Sequence, residues 1–205
     1  FPLLLAQGAE GIAVGLACKI LPHNFNELID ASIAILKGED FAIYPDFPTG
    51  GLMDVEKYND GLQGGRLRVR ARIKQVDNKT LVITEVPFTV TADSLIDSIV
   101  KACDKNQLKI KKIDNNTASE VEIRITLPND TSPDQTIDAL YAFTDCEISL
   151  SPNSCVIENE KPRFASVSEI LKVSTENTVS LLKRELEIEL GELNEKWNWI
   201  SLEKI

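Results

Sequence analysis

The 205 residues are 43% hydrophobic and 26% charged, with a formal net charge of −10 and four cysteines against a single histidine. That balance supports a sizeable core and excludes wholesale disorder, and wholly apolar runs such as Leu3–Ala6 are far too short to cross a bilayer. Cys18, Cys103, Cys146 and Cys155 stand far apart with no CxxC, which excludes structural zinc and predicts a reducing, cytoplasmic compartment.

The first residues, FPLLLAQG, lack the basic region of a signal peptide, and Phe1 is read as a cut end. Gly11 to Ala17, GIAVGLA, is small and β-branched between glycines and predicts a strand whose backbone something else approaches closely. Asn24 is placed to cap a helix over Phe25–Lys37. Leu28, Ile29, Ile33 and Leu36 recur there at helical spacing, Glu27 takes the third position and Gly38 closes the helix. Two prolines and two glycines make Tyr44–Gly51 a fixed loop.

From Gly65 the period changes to two. Leu67–Val76 alternates strictly, Asp77–Lys79 makes a tight turn, and Thr80–Phe88 returns as its partner strand. A helix over Thr91–Asn106 follows, opened by Thr91 and Ser94, then two strands in LKIKKID and EVEIRITLP, a helix over Ser132–Phe143, and a last strand pair between Cys146 and Asn159. This series predicts an α+β fold, a mixed or antiparallel sheet with flanking helices. Ser166–Ile205 has no proline and one glycine, with apolar residues three and four apart. It reads as a long helical arm that stops with its apolar face still running, a truncated helix. The boundaries implied are 1–44, 45–165 and 166–205.

The acidity is uneven, with eight glutamates in the last forty residues and the basic residues earlier, so the net charge does not exclude a nucleic-acid partner. Arg66, Arg68, Arg70, Arg72 and Lys74 alternate with Leu67, Val69, Ala71 and Ile73, and period two puts all five cations on one face. That face is either an ordinary solvated surface or one that meets phosphate; the second gives a log–log salt slope of about −4 to −5 if all five engage. His23, between Pro22 and Asn24, is a helix-capping residue or a phosphate contact at the helix start. No GxxxxGK[ST] or GxSxG is present, and no carboxylate pair is singled out for acid–base work.

Four segments, in order and at comparable spacing, resemble the A subunits of bacterial type IIA topoisomerases, gyrase and topoisomerase IV. They are GIAVGLACKILPHNFNELID (Gly11–Asp30), PDFPTGG (Pro45–Gly51), GGRLRVRARI (Gly64–Ile73) and EVPFTV (Glu85–Val90), with YAFTDCEISLSPN (Tyr141–Asn153) a looser fifth. The resemblance implies a DNA gate in which paired A subunits hold a bent duplex and cut it through tyrosine. This chain would supply a gate segment over 1–44, the tower region over 45–165 and the start of the coiled-coil arm over 166–205.

It further implies that Ile12 takes the place of the isoleucine that the family inserts between base pairs, with Lys19 and His23 as backbone contacts beside it. Its implied partners are double-stranded DNA, a second copy of the same subunit, and a B subunit holding ATP and magnesium, with neither cofactor nor any metal bound here. Three features depart from the family. No Arg-Tyr pair is present to supply the nucleophile, Ala9 and Glu10 stand where serines are frequent, and Tyr141–Asn153 is divergent. A strand-cutting residue is therefore not expected in this chain, and the divergence favours topoisomerase IV over gyrase. A non-enzymatic module that dimerises through its arm is the alternative.

Overall fold

Gly8 ends a short helix, α1 (Leu3–Gln7), and a two-stranded hairpin follows, β1 (Ala9–Ala13) and β2 (Leu16–Ile20). In the computed structural model, which describes residues 1–203, the chain continues through α2 (Phe25–Lys37), β3 (Leu52–Asp54), β4 (Leu67–Arg70), β5 (Arg72–Asp77), β6 (Thr80–Glu85) and α3 (Ala92–Asp104). After these come β7 (Lys112–Asn115), β8 (Ile123–Thr126), α4 (Pro133–Phe143), β9 (Glu147–Leu150), β10 (Cys155–Glu158), β11 (Lys161–Phe164) and α5 (Val167–Glu203). The fold is α+β, and the strand pairs among the described residues are antiparallel.

The helices form where capping and periodicity require. Asn24 Oδ1 accepts the backbone N–H of Asn26 at 2.9 Å, and Gly38 takes φ +73 to end α2, which buries Leu28 and Ala31. Thr91 and Ser94 form a reciprocal capping box at α3, whose Leu95, Ile99 and Ala102 are buried. Ser132 precedes α4 but makes no side-chain cap; Pro133 at the first position sets the helical φ instead. Helix α5 reaches Glu203, and the last two residues of the predicted arm, Lys204 and Ile205, lie outside the described residues.

The strand predicted over Leu67–Val76 is broken. Its first half, β4, lies in a three-stranded sheet ordered β3-β4-β9, and its second, β5, edges a four-stranded sheet ordered β5-β6-β8-β7. Ala71 is the joint: its N–H donates to Cys146 O at 2.7 Å, and its carbonyl accepts the Tyr141 hydroxyl at 2.9 Å. The last strands also pair otherwise than expected. β9 joins β4, whereas β10 pairs with β11, because the turn at Asn159–Glu160 brings Lys161–Phe164 back along β10.

Two hydrophobic cores result. The first gathers Leu5, Leu21, Leu28, Ile43, Phe47, Leu67, Val69, Leu150 and Leu171, drawing on both sides of positions 45 and 166. The second lies within 71–146 and centres on Leu81, Ile83, Leu95, Ile99, Ile123, Ile125 and Leu140. Each fully buried Leu or Ile contributes on the order of 1.5–3 kcal/mol of transfer free energy. The chain after β6 is tied to the first core at Glu85, which accepts Gly51 N–H at 2.6 Å and Arg72 Nε–H at 2.9 Å, and at Phe88, which leaves the second core to stack on Phe47 with ring centres 4.5 Å apart. A Cβ on Gly50 would stand 2.6 Å from the Glu85 carboxylate and one on Gly51 2.8 Å from Arg70 O, so the paired glycines of PDFPTGG permit this junction.

Candidate nucleic-acid interface

The segment read as one strand across Gly11–Ala17 is a hairpin. Ala13 pairs with Leu16 across a two-residue turn, Val14–Gly15, in which Gly15 takes φ +81, a conformation closed to most side chains. Ile12 is 89% exposed and Val14 fully exposed at its tip. Two apolar side chains thus stand in water at the end of a thin ribbon, where they serve no core of this chain. Sequence reading missed Val14. The two-residue spacing between Ala13 and Leu16, with glycine second, was the signal for it.

Lys19 lies opposite Glu10 in this hairpin, and its ammonium meets Glu10 Oε1 at 3.2 Å. The Lys19 side chain is only 27% exposed while that of Glu10 is 62% exposed, so the carboxylate is the more accessible of the two charges on this flank. Asn153, on the segment before β10, exchanges backbone hydrogen bonds with Lys19 at 2.9 and 3.0 Å and donates its side-chain amide to Ala17 O at 2.6 Å.

His23 corrects the expectation of a phosphate contact. It is 4% exposed, with Nδ1 3.2 Å from Leu5 O and Nε2 3.3 Å from the Tyr58 hydroxyl. A carbonyl only accepts, so Nδ1 carries the proton and Nε2 accepts from Tyr58. Burial holds the imidazole below its ordinary pKa of 6.5, against the raising effects of its Leu5 and Leu21 backbone contacts, Asp60 and Asp46. Burial together with Asp60 pushes the Tyr58 hydroxyl upward. The neighbouring Asn24, besides capping α2, donates to Asp46 Oδ2 at 2.9 Å, and so the PHN and PDFPTGG segments brace each other.

The cationic stripe keeps its alternation within β4, where Leu67 and Val69 are buried and Arg68 and Arg70 exposed, like Arg66 just before them. What sequence could not show is the acids on adjoining strands. Arg68 pairs with Asp54 of β3 at 2.6 Å, Arg70 with Glu147 of β9, and Arg72 with Glu85 of β6 at 2.9 Å. Arg68 holds the Asp54 carboxyl below the usual range, and the Gly51 N–H, then Arg72, do the same for Glu85. Arg70 also lies over the Tyr141 ring, 4.9 Å from its centre. Arg66 hydrogen-bonds only the neutral Ser149 hydroxyl, at 2.8 and 3.0 Å, and Lys74 makes no ion pair among the described residues. Arg66 and Lys74 are therefore the two cations of the five that face no acid partner among the described residues.

No group of three or more His, Cys, Asp or Glu side chains among the described residues is placed to hold a metal ion, and no described helix is long and apolar enough to cross a membrane. A groove of about 680 Å³ between α1, β10 and α5 is lined by apolar side chains such as Leu4, Ile157 and Val173. Its charged members, Glu158, Arg163 and Glu169, pair with one another.

The model of the DNA gyrase/topoisomerase IV A-subunit family matches residues 1–205. The chain belongs to that family. The DNA topoisomerase 4 A-subunit of Borreliella burgdorferi is 44% identical over 204 residues, covering all of this chain and 32% of that protein. Its counterpart in Rickettsia conorii is 34% identical over 84% of this chain and 26% of its own length, and the DNA gyrase A-subunit of Chlamydia muridarum 29% identical over 93% and 25%. The chain thus spans about a third or less of the length of these relatives.

Proposed function

We propose that this chain is the DNA-binding and DNA-bending part of the breakage-reunion subunit of an ATP-dependent type II topoisomerase, of the topoisomerase IV type in preference to gyrase. Its work is changing DNA topology, and with it chromosome segregation, in the cytoplasm. The observation that carries this reading is Ile12, 89% exposed on a glycine-hinged hairpin. An apolar wedge entering from the minor groove unstacks one base step and kinks the duplex, at a cost of about a few kcal/mol that backbone contacts offset. Arg66 and Lys74, which face no acid partner among the described residues, are the cations most readily offered to those contacts, with Arg68, Arg70 and Arg72 available if their carboxylate partners yield. The topoisomerase IV type is supported by 44% identity to a topoisomerase 4 relative, compared with 29% to a gyrase relative.

The partners in this reading are double-stranded DNA, a second copy of the breakage-reunion subunit, and a B subunit that supplies ATP hydrolysis and magnesium. Helix α5 suits the second role, since Leu182, Leu186, Leu190, Leu193, Trp197 and Ile200 are exposed at spacings of three and four. Cutting is not assigned to this chain, whose tyrosines follow Ile43, Lys57 and Leu140 rather than arginine. The test is Ile12→Ala in a complete breakage-reunion subunit carrying this chain, with duplex bending read by energy transfer between labelled ends. Bending falls while the far-ultraviolet circular dichroism stays that of the wild type; unchanged bending would refute the wedge.

A further inference from the structure

We infer that Asn153 is a positioning residue for the Ile12 wedge, holding the strand opposite Ile12 so that the hairpin keeps its shape when pressed into a duplex. The inference rests on the wedge reading above. A two-stranded ribbon is marginal by itself, and this one has Gly11 on one strand and Gly15 at its turn. Something outside β1 and β2 must stiffen it.

Three contacts reach it from the segment around β10. Lys19 and Asn153 exchange backbone hydrogen bonds, the Cys18 thiol lies 3.3 Å from Cys155 O, and Asn153 Nδ2 donates to Ala17 O at 2.6 Å. The last is the one nearest the tip, and Ala17 is the direct cross-strand partner of Ile12. Because a carbonyl can only accept, the amide is fixed with its nitrogen toward Ala17, which leaves Asn153 Oδ1 buried with no hydrogen-bond partner. The backbone bonds to Lys19 survive any change of side chain, so the amide adds its hold at one place, beside the wedge.

Asn153→Asp preserves the shape, removes the donor and sets a carboxylate against the Ala17 carbonyl. In a complete breakage-reunion subunit, loss of this single bond lowers the ratio of bent to unbent duplex about fivefold, the size of one net hydrogen bond. The dissociation constant for the duplex stays within about twofold, since phosphate contacts dominate affinity. Thermal melting of Asn153→Asp and of Asn153→Ala falls by no more than about 2–4 °C, the size of one net hydrogen bond. Bending by Asn153→Asp equal to wild type overturns the inference, and so does a parallel fall of bending, affinity and melting temperature, which marks a general structural role. Ile12→Ala in the same assay separates the two claims. If it bends normally the wedge reading fails on its own account, whereas normal bending by Asn153→Asp beside defective Ile12→Ala removes only the positioning role.

Discussion

His23 shows how a single residue changes meaning between one and three dimensions. In the sequence it stands at a helix start, open to phosphate or to capping; in the fold it is enclosed by Leu5 and Tyr58, eighteen and thirty-five positions away. Its titration follows from that enclosure. The folded imidazole has its pKa held below 6.5 while the unfolded one protonates at about that value, so the unfolded chain binds the extra proton. Stability is therefore complete above pH 6.5 and declines as the pH falls below it, with a slope of up to about 1.4 kcal/mol per pH unit. Urea unfolding at pH 7.0 and 5.5 measures this, and His23→Gln removes the decline, because no other histidine is present. An equal decline in both proteins would show that some other group titrates there. Local chemistry was legible where partners are close in sequence, as with Asn24 and the α2 N-terminus. It was not legible for His23, Asn153 or Arg68, whose partners come from other elements.

At the scale of elements the same division holds. Helix α2 was readable end to end because its cap, its apolar spacing and Gly38 all lie within fifteen residues. The β4–β5 break was not, since alternation continues unchanged across Ala71 while the two halves join different sheets. The β1–β2 hairpin hid for a similar reason: Val14 is β-branched, and a β-branched residue before glycine reads as strand. The alternation of the cationic stripe holds within β4, whereas the acids that face it, Asp54, Glu147 and Glu85, were not legible because they belong to β3, β9 and β6. Exposed pairs of this kind are each worth about 0–1 kcal/mol, but they must open before an arginine can displace counterions. With the pairs closed, Arg66 and Lys74 alone engage phosphate and the log–log slope of duplex affinity against salt is about −2. A titration giving about −4 to −5 would mean that all five cations leave their acids for DNA.

For the whole molecule, the two cores set what moves together. The first core fixes α1, α2, the base of α5 and the three-stranded sheet as one body, and the hairpin projects from it, tied through Asn153 and Lys19. The second core stands beyond Ala71 and Cys146 and is held to the first by Glu85 and the Phe47–Phe88 stack. The α+β class and the run of helices and strands followed from periodicity, whereas the gathering of distant segments into these cores depends on contacts that no local pattern records. In this arrangement the exposed tip carrying Ile12 and Val14 is, like the apolar stripe of α5, a part of the surface with no structural use inside the chain. Its effect on a base step is therefore the decisive question. The most direct measurement places 2-aminopurine, which brightens when it loses its stacking neighbours, at successive steps of a duplex bound by a complete breakage-reunion subunit carrying this chain. A wedge at Ile12 predicts a rise in fluorescence confined to the step at the kink, abolished by Ile12→Ala while binding persists; no rise at any step, or a rise that survives Ile12→Ala, would contradict it.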